Sequence, residues 1–161
     1  MRYTVRERLF RLGEDNDIRN ENGQPVLQVD GKALSLRNLM IVMDMSGNEV
    51  ARVHRKLVSM LPQYEVDLVG RGTAVVHRRL SNPFKPAWRI TLEGQPEMEL
   101  KGNLVGHNFT IQRGDAVVAT VSKQWVTLAS TYGVDVAPGE DDLLVLCTVL
   151  ALEAEQEQEK K

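Results

Sequence analysis

Apolar and polar residues alternate in short runs along most of this chain. In Tyr64-Glu65-Val66-Asp67-Leu68 the apolar side chains share one face and the carboxylates the other; Trp88, Ile90 and Leu92 oppose Arg89, Thr91 and Glu93 in the same way. A period of two is the mark of strands that bury one face. Turn residues separate the runs: Glu21-Asn22-Gly23, Met45-Ser46-Gly47-Asn48, Gly70-Arg71-Gly72, Glu93-Gly94-Gln95-Pro96 and Gln112-Arg113-Gly114-Asp115. About twelve antiparallel strands follow from this pattern. Those of the first half centre on Tyr3–Arg6, Asp17–Asn20, Val26–Val29, Leu39–Asp44, Glu49–His54 and Tyr64–Leu68. Those of the second centre on Thr73–His77, Ala87–Leu92, Glu97–Lys101, His107–Gln112, Ala116–Val121 and Tyr132–Val136. Ser81–Pro86 is the longest irregular link.

The end of the chain departs from the period of two. Leu143–Leu152 is apolar on every side, with Asp141 or Asp142 placed to cap a helix N-terminus. Ten helical residues span about 15 Å, short of the ~20 residues that cross a bilayer. A helix apolar all round must be enclosed all round, and among short strands only the inside of a closed barrel encloses one. The fold expected is therefore all-β with one helix: a closed antiparallel barrel of about twelve strands around a buried C-terminal helix. Gln156–Lys161 is polar and is expected to fray.

A repeat supports two related halves. Val50–Leu68 returns without a gap as Val118–Val136, with identities at Val50/Val118, Ala51/Ala119, Val53/Val121, Val58/Val126, Tyr64/Tyr132, Val66/Val134 and Asp67/Asp135. Chance pairing would give about one match over such a length. Upstream, Gly23-Gln24-Pro25 recurs as Gly94-Gln95-Pro96 and Gly31 as Gly102. Two copies of this length suit a closed sheet better than an open array.

At 161 residues the chain is expected to form one domain, residues 1–155, followed by the polar tail 156–161. A net charge of -2 gives no overall attraction to nucleic acid. The single cysteine forms no internal disulfide and suits a reducing compartment, and the first residues read as a strand, not a secretory signal. A cytoplasmic monomer, peripheral at a membrane if it binds lipid, is the expected setting.

The chain resembles a known family. The residues that carry the resemblance are Tyr3-Thr4-Val5-Arg6-Glu7-Arg8-Leu9, Asp17-Ile18-Arg19-Asn20-Glu21-Asn22-Gly23, Val29-Asp30-Gly31-Lys32-Ala33-Leu34-Ser35, Met43-Asp44-Met45-Ser46-Gly47-Asn48-Glu49-Val50 and the closing Asp142–Leu152 segment. Nearly the whole chain resembles the LURP-one-related family, small one-domain proteins of plants and microbes that share the tubby C-terminal-like fold with tubby and the phospholipid scramblases. The resemblance implies that fold and no agreed enzymatic activity. Tubby-like relatives bind phosphoinositides through basic residues on the barrel surface, which implies an anionic headgroup as a ligand class. Scrambling is not implied, because this chain has no palmitoylation-type cysteine cluster and no transmembrane extension.

The basic residues Arg52, His54, Arg55 and Lys56, with Arg78 and Arg79 and the neighbouring His77, form the candidate anion site. Alternation turns Arg52 and His54 away from Ala51 and Val53, hence outward. The repeat-related positions are Thr120, Ser122, Lys123 and Gln124, so the fold does not require this basic character. The competing reading is a solvated charge run neutralised by Glu49, Glu65 and Asp67. His54, His77 and His107 lie on separate runs without metal-ligand spacing, and Cys147 belongs to the apolar helix, so neither a metal nor any other cofactor is expected. Asp67 and Asp135 are repeat-related, which favours a framework role over a catalytic pair. Trp88 falls on an inward face, and Trp125 aligns with Leu57, which favours packing over a membrane-interface contact. The function expected is a non-enzymatic binding module for an anionic phospholipid or other phosphorylated ligand, with a protein-interaction domain as the alternative and an enzyme behind both.

Overall fold

A computed structural model describes residues 1–7, 16–31, 38–56, 61–79, 87–126 and 130–159. The first six strands are β1 (Arg2–Arg6), β2 (Asn16–Arg19), β3 (Pro25–Asp30), β4 (Leu39–Asp44), β5 (Glu49–Lys56) and β6 (Gln63–Leu68). The second six are β7 (Gly72–Arg79), β8 (Ala87–Leu92), β9 (Met98–Asn103), β10 (Asn108–Arg113), β11 (Ala116–Ser122) and β12 (Thr131–Val136), followed by helix α1 (Asp142–Glu159). Each strand pairs antiparallel with its chain neighbour, and β1 pairs with β12 from Arg2↔Asp135 to Arg6↔Thr131. That last pairing closes the barrel and leaves no sheet edge among the described residues. The strands agree with the alternation along the chain. The Ser81–Pro86 link lies outside the described residues.

The two halves share more than sequence. Asn38, just before β4, and His107, just before β10, both take a left-handed backbone, with φ of 53° and 51°. The β4–β5 register slips between Val42 and Met43, and the β10–β11 register slips between Ile111 and Gln112, the equivalent place. A bulge sharpens the local twist, so a matched pair bends the wall alike on opposite sides. Eight of the residues identical between the halves line the inside: Ala51, Val53, Tyr64 and Val66, and Ala119, Val121, Tyr132 and Val134, are all buried. Gly133 allows the wall to pack on an aromatic ring: a Cβ there would lie 3.2 Å from Cε3 of Trp125, whose ring carries the Arg2 guanidinium 4.2 Å from its centre.

Helix α1 fills the lumen. Every residue from Leu144 to Gln156 is buried, at a stabilisation of roughly 1.5–3 kcal/mol for each large aliphatic side chain. Asp141 is the N-cap, its carboxylate accepting the Leu144 N–H at 3.1 Å. The helix continues to Glu159, past the apolar run and past Glu155, where fraying was expected. The reason is that Glu153 and Glu155 have partners on the wall, as described next. No helix among the described residues is long and apolar enough to cross a membrane.

Candidate functional site

The alternation on β5 divides its basic residues between two sides of the wall. Ala51 and Val53 face the lumen and Arg55 follows them inward, while Arg52, His54 and Lys56 face out. On β7 the buried Ala74 and Val76 are followed by Arg78, which reaches helix α1, and Arg79 is exposed. The six candidate residues therefore form two groups.

The outward group lies in a field of both signs. Arg52 is paired with Glu49, which holds its guanidinium pKa above the usual value. His54 Nε2 is 3.2 Å from Asp67, Lys56 Nζ is 3.5 Å from Glu65, and Arg79 Nη2 is 3.3 Å from Glu97. Farther round, Arg89 bridges Glu97 and Glu99 at 3.3 and 3.4 Å. His77 sits on the same wall, and partial burial together with the Arg79 charge lowers its pKa. The acids named from the sequence as possible neutralisers do meet the cations. Asp67 also accepts a hydrogen bond from the Thr73 hydroxyl at 2.7 Å.

The inward group grips the helix. Arg55 donates to Glu155 through Nε at 3.2 Å and Nη2 at 3.3 Å, and Tyr64 donates its hydroxyl to the same carboxylate at 2.8 Å. Burial, and then the Glu155 charge, raise the Tyr64 pKa, so the phenol stays protonated and remains a donor. Across the barrel Glu153 meets His107 Nε2 at 2.9 Å and the Tyr132 hydroxyl at 3.4 Å. The His107 ring stacks on Tyr132 with centroids 4.3 Å apart. His107 Nδ1 is 3.5 Å from Glu7, which Lys123 also pairs. Arg78 reaches Glu159 at 3.2 Å. Residues two apart on a helix point about 200° apart, so Glu153 and Glu155 address opposite walls, where the repeat places Tyr132 and Tyr64.

This clamp was missed in the sequence, although one signal was available. Two tyrosines identical between the repeats, together with two glutamates spaced i, i+2 at the end of an apolar helix, match partners on opposite walls. Cys147 lies in the packed middle of α1, where desolvation pushes its thiol up to about 12, as its apolar surroundings implied. The three histidines stay apart, and among the described residues no cluster of His, Cys, Asp and Glu is arranged to hold a metal ion. Trp88 is core, and Trp125 is packed between Arg2 and Gly133; its repeat mate Leu57 lies outside the described residues.

The comparisons with known proteins agree with this architecture. Over 97% of its length the chain superposes on a protein of Arabidopsis thaliana solved by X-ray crystallography, covering 91% of that chain with a TM-score of 0.65 at 14% identity. That likeness concerns the fold, a closed tubby-like barrel with an inner helix. In sequence the chain is 26% identical over 148 residues to the uncharacterised protein YxjI of Bacillus subtilis (strain 168), covering 92% of this chain and 88% of that protein. Residues 1–153, from β1 into the buried part of α1, match the LURP-one-related family, and the chain belongs to that family.

Proposed function

We propose that this protein is a non-enzymatic binding module that engages its ligand from outside the barrel. The observation that carries the reading is the filled lumen: α1 occupies the space in which a barrel of this size would hold a small molecule. The ligand class we assign is an anionic phospholipid headgroup or another phosphorylated group, received on the outer wall by Arg52, His54, Lys56 and Arg79. The pairs of His54, Lys56 and Arg79 are long and half open to water, contacts that contribute about 0–1 kcal/mol each. A phosphate with three acceptor oxygens replaces such carboxylates at little cost. Arg55 is committed to α1 and belongs to the scaffold, whereas the Arg78–Glu159 pair is half open to water like those of the outer wall. Docking of this kind holds the protein at the periphery of a membrane.

A second reading, a protein partner, is favoured by the alternation of both signs of charge from β5 to β9, which suits a protein surface of complementary pattern. Sedimentation with phosphatidylcholine vesicles, with and without a phosphoinositide, separates the two. The lipid reading expects salt-sensitive binding only to the anionic vesicles, weakened about tenfold or more by combined Arg52→Gln, Lys56→Gln and Arg79→Gln. Absent binding, or binding indifferent to salt and to the three substitutions, overturns it in favour of the protein partner.

A further inference from the structure

At the end of the barrel where α1 enters, a cleft of about 370 Å³ opens between the β8–β9 turn, the end of β10 and the segment leading into the helix. Its apolar wall is Leu92, Pro96, Met98 and Leu144, and its polar side is Arg113 and Glu140. The volume falls at the lower end of the ~300–1,000 Å³ typical of small-molecule sites.

The donors of Arg113 are unevenly used. Nη1 meets both oxygens of Glu140, at 3.0 and 3.2 Å. Nη2 has the Met98 sulfur at 3.7 Å, a weak acceptor, and the buried Nε has no hydrogen-bond partner. Nε and Nη2 together form the edge of a guanidinium that takes a carboxylate through two parallel hydrogen bonds. At the Nη2 end of that edge lies a flexible thioether that itself lines the cleft. The other charge at the mouth is already used, since Asp141 caps α1 and pairs with Arg71 at 2.6 Å.

The repeat shows that the fold does not need an arginine here. The matched bulges align Arg113 with Asp44, which closes the β4–β5 turn by accepting the Ser46 and Asn48 N–H groups, each at 2.9 Å. We propose that this cleft binds a small organic carboxylate with a short apolar tail, its carboxylate on the Nε/Nη2 edge of Arg113 and its tail against Leu92, Pro96 and Leu144. Met98 swings aside to admit it. The site is separate from the outer wall of β5, so its success or failure is independent of lipid binding.

Titration of the full chain with sodium hexanoate, followed by the NMR methyl signals of Leu92, Met98 and Leu144, tests the proposal, with hexylammonium chloride as the control of opposite charge. Saturable shifts are expected with hexanoate alone. Arg113→Lys keeps a charge beside Glu140 but loses the two-pronged edge, and raises the dissociation constant about tenfold. Glu140→Gln removes the competing carboxylate and lowers it several-fold, and this variant carries the test should Arg113→Lys fail to fold. Three results overturn the proposal: no saturable shift by about 10 mM hexanoate, equal binding of hexylammonium, or a dissociation constant that neither substitution moves.

Discussion

Glu153 and Glu155 lie inside a barrel whose wall is otherwise mostly apolar, and each is tied to wall residues far away in the chain. Arg55 and Tyr64 stand 100 and 91 residues before Glu155. A buried carboxylate is tolerable when charge and hydrogen bonds compensate its lost hydration, and costly when one partner is taken away. Arg55→Met is therefore expected to destabilise the protein by about 3 kcal/mol in urea unfolding, because it leaves Glu155 charged and buried. Adding Glu155→Gln should return much of that loss, since the amide oxygen still accepts the Tyr64 hydroxyl. If the double variant is no more stable than Arg55→Met alone, charge burial is not the cause. From sequence alone these glutamates read as the point where the helix leaves the core, because nothing in local pattern reveals a partner on a distant strand. The inward turn of Arg55 was legible, since it continues the alternation of Ala51 and Val53. That of Arg78 follows Ala74 and Val76 by the same count.

Among the elements, α1 carries the strictest requirement. Leu146 and Leu150 are at most 2% exposed and face a closed wall, so a charged side chain there has no route to water. Leu150→Asp is expected to abolish the cooperative unfolding transition in circular dichroism; a cooperatively folded Leu150→Asp monomer would contradict the enclosed helix. The strands were legible because each keeps one face to the lumen, and the helix because its apolar run breaks that period. Its final turns were not, since Glu155–Glu159 is polar and only the surrounding wall gives it a reason to stay helical. The sorting of charges was half legible as well. Alternation separates outward Arg52 from inward Arg55, but the pairing of His54, Lys56 and Arg79 with Asp67, Glu65 and Glu97 depends on which strands become neighbours.

At the scale of the whole molecule, pairing runs around all twelve strands, thinnest among the described residues between β1 and β2, at Thr4↔Arg19, and α1 is reached only when that wall opens. Cys147 reports on this, being fully buried at mid-helix. Its reaction with a disulfide reagent is expected to require opening of the barrel itself, so its rate should follow global stability across denaturant concentrations. A rapid reaction in the absence of denaturant would instead reveal a local path to the helix.

The chain order of the barrel also bears on how it is made. The element at the centre follows all twelve strands, and the seam joins β1 to β12 across almost the entire sequence. During synthesis from the N-terminus the wall strands therefore emerge with nothing yet to surround, their apolar faces committed to a core that does not exist. Contacts of such long range make folding slow, and the unfilled wall is the species most exposed to aggregation. The helix is thus a test of completeness: a nascent chain has a core to close around only once it has been translated through Glu155.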